Sequence, residues 1–333
     1  MYFRTIDRHD IPPEAAAWTA AALRTNQADP FCCLPAWQLA FHDAFCPNRR
    51  LFITEKNGTV LAFAEQVFSP DDVYLTPIEP SWFFGCPLLG PRVVQLFAEA
   101  LAFWADAYQP HFPSIVISGI KPEARLGRSL FAAFKNDFNF YLHSEGTQCV
   151  ASLAGGLEGY MSRRSANHRS KLKQAAKKAR AAGITFERHA PASVAEARAV
   201  YARMIAVEKT SWKGLEQCGM AEPVVCDFYA FLLERQVAFQ GSRIIFARHE
   251  GEDIGFIFGG MAGKVYRGQQ FSYADNWRAF SIGNLLQVEQ IAWLCEEGAS
   301  RYDMGPISDP RMEYKAHWIE KEIPIHTWLL QKK

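Results

Sequence analysis

Residues 265–306 read VYRGQQFSYADNWRAFSIGNLLQVEQIAWLCEEGASRYDMGP, and the elements they encode settle what kind of sheet the chain builds. Val265–Tyr273 is a long strand-like run. Ser281 sits where an N-cap belongs, ahead of a helix running to about Glu297, with Gly298 as its C-terminal stop. "SRYDMGP" (300–306) is strand-like again. Upstream, Arg243–Arg248 and Ile254–Gly259 are strands on either side of the turn "HEGED". Downstream, "PRMEYKAHWI" (310–319) is a short helix or loop, and "EIPIHTWLLQ" (322–331) is a last strand.

The first half repeats this order. Leu51–Glu55 and Val60–Phe68 are strands around "KNG", and Val73–Thr76 is a third. Pro91 opens a helix with the apolar stripe Val93, Phe97, Ala100, Leu101, Trp104 and Tyr108. A strand at 114–120, a helix at Arg125–Lys135 and a strand at 138–153 follow. The "VY" at 73–74 recurs at 265–266, and Gly58 matches Gly251 in its turn. One α/β (α+β) unit therefore occurs twice, with antiparallel strands, helices and a mixed sheet. The expected domains are 1–154 and 155–333.

The 333 residues suit two cores better than one. Charged residues are 21% and apolar residues 49%, as in an ordinary globular protein. The eight cysteines form no C-x-x-C pair and read as reduced, mostly buried thiols, which points to a cytoplasmic location. No apolar leader opens the chain, and no run of 18 apolar residues spans a membrane.

One segment departs from this balance. "YMSRRSANHRSKLKQAAKKARAAG" (160–183) holds eight Arg or Lys and no acid, in a chain of net charge +1, so the rest carries −7 (+1 less 8). As one helix it places Met161, Ser165, His168, Leu172, Ala175 and Ala179 on a narrow stripe, with cations around the remainder. A solvated surface helix is one reading. The other is a site for phosphates of a donor, an acceptor or an RNA backbone. A helix without acids forgoes the stabilising Glu–Lys pairs at i,i+4. Arg163, Arg164 and Arg169 are the expected anion ligands, because the guanidinium fork suits phosphate.

Three stretches resemble the CelD/BcsL-type acetyltransferases, a GNAT-fold family related to the Fem-like aminoacyl transferases. They are the basic segment, "EKTSWKG" (208–214), and 272–318 with its Tyr-Asp, Gly and Tyr-Lys-x-x-Trp signature. The resemblance implies two tandem GNAT-like domains and acyl transfer from a coenzyme A thioester to a small-molecule or sugar amine bound between them. It implies a donor pyrophosphate at the start of the 281–297 helix, near Arg278, Ser281, Gly283 and Asn284. That stretch departs from the Gln/Arg-x-x-Gly-x-Gly/Ala loop of the wider superfamily. Lys315 is the implied group that stabilises the transition state or binds the donor, with Asp303 orienting it and Tyr314 and Trp318 beside it as substrate contacts. Glu208 is the candidate base acting through water, or an amine ligand; Trp212 is a stacking platform and Lys213 a substrate contact. Tyr266 and Tyr273 lie on the strand expected to line an acyl tunnel.

A Fem-like transferase using aminoacyl-tRNA is the alternative, and it suits the cationic segment and the missing loop. A non-catalytic GNAT-fold protein of polysaccharide or envelope assembly is a third. Scattered histidines without ligand spacing argue against a metal. No Walker loop, G-x-S-x-G or G-x-G-x-x-G occurs.

Overall fold

The computed structural model describes residues 1–307 and 310–333. They divide into two compact units: Met1–Thr147 with Ile323–Lys333, and Gln148–Glu322. The expected division at 154/155 differs in two places. The boundary falls earlier, and the last strand belongs to the first unit.

The first unit contains β1 (Phe3–Arg4), α1 (Ala15–Arg24), α2 (Pro35–Phe45), β2 (Leu51–Lys56), β3 (Thr59–Ser69) and β4 (Asp72–Pro77). β5 (Leu88–Leu89), α3 (Val93–Ala107), β6 (Ser114–Ile120), α4 (Arg125–Phe134) and the start of β7 (Phe138–Ser152) follow. The second has α5 (Gly156–Ser162), α6 (Ala166–Ala181), β8 (Thr185–His189), α7 (Val194–Thr210), α8 (Trp212–Leu215) and α9 (Pro223–Gln236). It continues with β9 (Ser242–His249), β10 (Glu252–Ala262), β11 (Val265–Tyr273), α10 (Ile282–Glu296) and β12 (Arg301–Asp303). β13 (Lys321–Lys332) begins at the boundary and pairs antiparallel with β6 through His326–Leu330.

The internal repeat is real in topology. β2, β3 and β4 pair antiparallel, α3 crosses over, and β6 pairs parallel to β4. β9, β10 and β11 pair antiparallel, α10 crosses over, and β12 pairs parallel to β11. Even the hairpin turns agree. Asn57–Gly58 and Glu250–Gly251 both have positive φ at both residues, the type I′ geometry whose twist matches that of the strands. Glycine carries the second position because it has no Cβ to clash. This is the tandem arrangement that the resemblance implies, each unit a mixed, largely antiparallel sheet flanked by helices.

The second unit's core explains why these residues form these elements. Tyr160 of α5, Leu172 of α6, Tyr266 of β11, Ile291 and Leu294 of α10, Tyr302 of β12 and Trp318 pack together. Ala179, Ile245, Ala247, Ile257, Leu285 and Leu286 form a neighbouring cluster on the same sheet. Trp318 is fully buried and carries this core, not a substrate as expected from its motif. Trp318→Ala should lower stability by about 3–5 kcal/mol, read as a fall in denaturant midpoint.

The basic segment is two helices, not one. The chain breaks at 163–165, and Ser165 caps α6 by accepting the His168 amide at 3.2 Å. Leu172 and Ala179 are buried and Ala175 packs against the core, so the expected apolar stripe survives within α6. All eight cysteines are free thiols. No described helix is long and apolar enough to cross a membrane.

Candidate active site

β11 and β12 pair in parallel only from Val265 opposite Arg301 to Arg267 opposite Asp303. Beyond that point β11 continues to Tyr273, while the chain after Asp303 turns away. Gly268 stands where they part, and a Cβ there would meet the Tyr302 ring at 3.0 Å. β10 and β11 also change register at Phe258/Gly259, the kind of irregularity that bends a strand. The gap is a cavity of about 530 Å³. Its walls are Gly268–Tyr273, the start of α10, α8 with Cys218 and Gly219, and Met312, Tyr314 and Lys315 of the 3-10 helix Pro310–His317. All of these residues belong to the second unit.

Lys315 is buried, and its amine donates to the carbonyls of Met304 (2.8 Å) and Pro306 (2.6 Å). An ammonium has three donors, so one remains for a ligand in the cavity it lines. Burial pushes the Lys315 amine down to about 8, with the like charge of Arg267 adding to the effect. Asp303 stands next to the turn that holds this lysine. Its Oδ1 accepts from Arg267 Nη1 at 2.9 Å and from the Gly305 amide at 3.0 Å. Oδ2 accepts from the Gln148 side chain. The Gly305 amide lies between the two residues, Met304 and Pro306, whose carbonyls accept from Lys315.

At the opposite wall, the start of α10 is shaped for close approach. Ser281 has φ 56° and makes no side-chain cap. The first amides of the helix, Ile282 and Gly283, therefore lack a side-chain acceptor, and the helix dipole adds partial positive charge there. A Cβ on Gly283 would stand 2.7 Å from the Phe271 ring. Arg278, Ser281, Gly283 and Asn284 all line the cavity.

A second cavity, of about 490 Å³, lies between α6 and the same corner. Asn167, Lys171, Gln174 and Lys178 line it from α6, at i, i+4, i+7 and i+11. Ser281, Asn284 and Tyr314 line both cavities. Lys178 donates to the Ala279 carbonyl at 2.9 Å and lies over the Phe280 ring. His168 stacks on His317, and burial lowers its pKa further below neutrality. The basic segment thus reaches the site through lysines that the sequence reading passed over. The signal was present: their stripe runs beside the apolar stripe at the same helical spacing.

The arginines expected there are elsewhere. Arg163 donates to Glu320 at 2.7 Å and to the carbonyls of Ser152, Ala154 and Gly159. Arg164 is buried over the Tyr160 ring and bonds Glu320 and the Ile319 carbonyl. Arg169 donates to the Ser162 and Arg164 carbonyls. Neither cavity is lined by any of the three. Arg163 and Arg164 tie the end of α5 to the segment 319–320, and Arg169 ties α6 back to that end, because a guanidinium next to free carbonyls and a carboxylate bonds those first. Arg278→Ala should weaken donor binding about 10-fold or more, the scale of one charge-assisted hydrogen bond, while Arg169→Ala leaves it unchanged; calorimetric titration reads both.

Of the remaining expected residues, Trp212, Lys213, Tyr314 and Tyr273 line the main cavity. Tyr266 does not; it is buried in the core. Glu208 also fails to reach the cavity as a base would. It is fully buried behind Gly219, with Oε1 accepting the Met220 amide at 3.1 Å. Among the described residues no cluster of His, Cys, Asp and Glu could hold a metal ion.

Residues 166–316 match the family model described as the acetyltransferase (GNAT) domain. The matched residues include most of those that line the two cavities. No curated protein matches the chain in sequence. Among solved structures the chain is similar to FemX, at 10% identity and a TM-score of 0.68, covering 96% of this chain and 97% of that one. It is similar to a conserved protein of unknown function from Bacteroides thetaiotaomicron, at 10% identity and TM-score 0.65, covering 99% of each. A third likeness is the C-terminal domain of a putative lysylphosphatidylglycerol synthetase from Agrobacterium fabrum, at 13% identity and TM-score 0.55, covering 95% and 91%. At these identities the likeness is one of fold.

Proposed function

We propose that the protein is an acyltransferase that moves an acyl group from an activated donor to an amine. One observation carries this reading. Lys315 and the uncapped start of α10 with Arg278 open onto a single cavity at the parting of two parallel strands.

The donor's phosphate meets Arg278, the Ile282 and Gly283 amides and the Ser281 hydroxyl. Its acyl carbonyl lies toward Lys315. The amine nitrogen attacks that carbon, and the new C–N bond forms as the oxygen gains charge. The third N–H of Lys315 donates to this oxygen, already positioned by two carbonyls, so little reorganisation is needed. Collapse breaks the bond to the leaving group, which takes up the proton that the amine loses.

The first reading of the donor is a coenzyme A thioester. An aminoacyl-tRNA is the second, in the manner of the Fem-like transferases. The second cavity favours it specifically: Asn167, Lys171, Gln174 and Lys178 continue the phosphate-binding corner along α6. The sequence stretches quoted above ally the chain with the CelD/BcsL-type group, and a small-molecule or sugar amine is the acceptor. Eight free thiols suit a reducing cytoplasm, where both donors are made.

Melting curves with coenzyme A, acetyl-CoA and charged tRNA test the proposal. A ligand at 100 times its Kd stabilises the native state by about 2.7 kcal/mol, a readable shift. A shift with a thioester alone selects the first donor, and a salt-sensitive shift with tRNA selects the second. No shift with any of them rejects acyl transfer and leaves a non-catalytic GNAT-fold protein.

A further inference from the structure

The lining of the main cavity is one-sided in charge. Three cations, Lys213, Arg278 and Lys315, line it, and among the described residues neither Asp nor Glu does. Arg278 belongs to the donor corner at α10, and Lys315 belongs to the reacting carbonyl. Lys213 stands apart from both, on α8, beside Trp212, Cys218 and Gly219.

Its amine is fixed rather than waving. It donates to the Gln270 side chain at 2.9 Å and the Phe271 carbonyl at 3.0 Å, both on β11. One donor is left over. Gln269, another lining residue, has a buried side-chain nitrogen with no partner. Lys213 thus keeps one unspent donor and Gln269 an unpartnered nitrogen, in a lining that shows no carboxylate among the described residues.

Glu208, whose field reaches this lysine, is sealed away. Glu208 is fully buried, its Oε2 has no hydrogen-bond partner, and Gly219 separates it from the cavity. Gly219 has φ 101°, and a Cβ there would stand 2.6 Å from Glu208 Oε1 and 3.1 Å from Lys213 Cδ. The loop therefore closes over Glu208 only with glycine at this position. Burial lowers the pKa of Lys213, and the field of Glu208 opposes this. An incoming anion would act in the same direction as Glu208, so anion binding and a charged Lys213 reinforce each other.

We infer that the acceptor is an anionic amine, such as an amino carboxylate or an amino-sugar phosphate, whose negative group is held by Lys213 with Gln269 as a second donor. The inference rests on the acyl-transfer reading and adds the substrate class. A cationic diamine or polyamine is disfavoured, because its distal charge would meet Lys213 with no carboxylate among the described lining residues to pair it.

The test uses matched pairs with the whole protein. Glycylglycine is compared with its C-terminal amide, and glucosamine 6-phosphate with glucosamine, by calorimetric Kd and by acyl product formed from the donor that shifts the melting curve. The anionic member of at least one pair should bind at least 10-fold more tightly. Lys213→Gln should reduce that ratio toward 1 with donor affinity unchanged, and Lys213→Arg should keep it. Unchanged donor affinity shows that Lys213→Gln is folded. Equal binding within both pairs, or a ratio unaltered in Lys213→Gln, overturns the inference. Selective anion binding that depends on Lys213 without acyl product from any donor would sink the transferase reading and leave this site standing.

Discussion

Replacing Lys315 by methionine is expected to lower kcat about 10²- to 10³-fold with little change in donor affinity, the loss typical of one preorganised donor to a developing oxyanion. Methionine fills similar space without the N–H. The Met304 and Pro306 carbonyls, now holding the amine, would lose their donor. The pH dependence separates this role from that of a base. Burial has moved the Lys315 amine down to about 8. If the ammonium is the active form, the rate falls as pH rises through about 8. Lys315→Arg, which stays charged, should remove that limb while keeping part of the rate. A rate that rises through the same region would make the neutral amine a base instead. Stability carries the same signature. The folded-state pKa lies below the ordinary 10.5, so the unfolded chain binds more protons between about pH 8 and 10.5. Stability relative to Lys315→Met should therefore climb across that window and stay level below it.

The second large effect is expected at Asp303. It is fully buried and takes hydrogen bonds from Arg267, Gln148 and the Gly305 amide. Asp303→Ala removes the carboxylate from a buried guanidinium, a change that costs about 3–5 kcal/mol. It also frees the turn whose carbonyls hold Lys315, so kcat should fall in the surviving folded fraction. Asp303→Asn keeps the acceptor for Gly305 and should retain more activity than stability. Thermal unfolding and kcat measured on the same preparations separate the two losses. Full activity in a folded Asp303→Ala protein would show that the turn holds Lys315 without it.

Strand and helix order was legible because each element has a sharp local signature. Ser114–Ile120 and Val265–Tyr273 have the bounds expected from their apolar runs and flanking turns. The two Gly-containing turns and the two Val-Tyr starts revealed the repeat, since only a narrow set of residues suits a type I′ turn. The return of the last strand to the first unit was not legible. A strand's periodicity says which face is buried but not which neighbour it pairs with. Helices α7 and α9 lay outside the reading as well. They are close to apolar or mixed around much of their circumference, so the 3.6 period is weak.

The site was legible where residue type and backbone geometry coincide. Gly283 and Ser281 sit at a helix start, and Lys315 sits beside aromatic residues that fix its segment. It was illegible where the argument ran on charge alone. Arg163, Arg164 and Arg169 were expected to bind phosphate, yet nearby carbonyls and Glu320 occupy them. Charge in a sequence marks an appetite for partners; only the fold decides whether the partner is a ligand or the next turn of chain.

Hydrogen–deuterium exchange with and without coenzyme A, and with and without charged tRNA, tests the central claim most directly. The account predicts new protection over residues 275–286 and 312–318 with the true donor, and none over 160–165. Donor-dependent protection confined to other segments, with 275–286 unchanged, would contradict it.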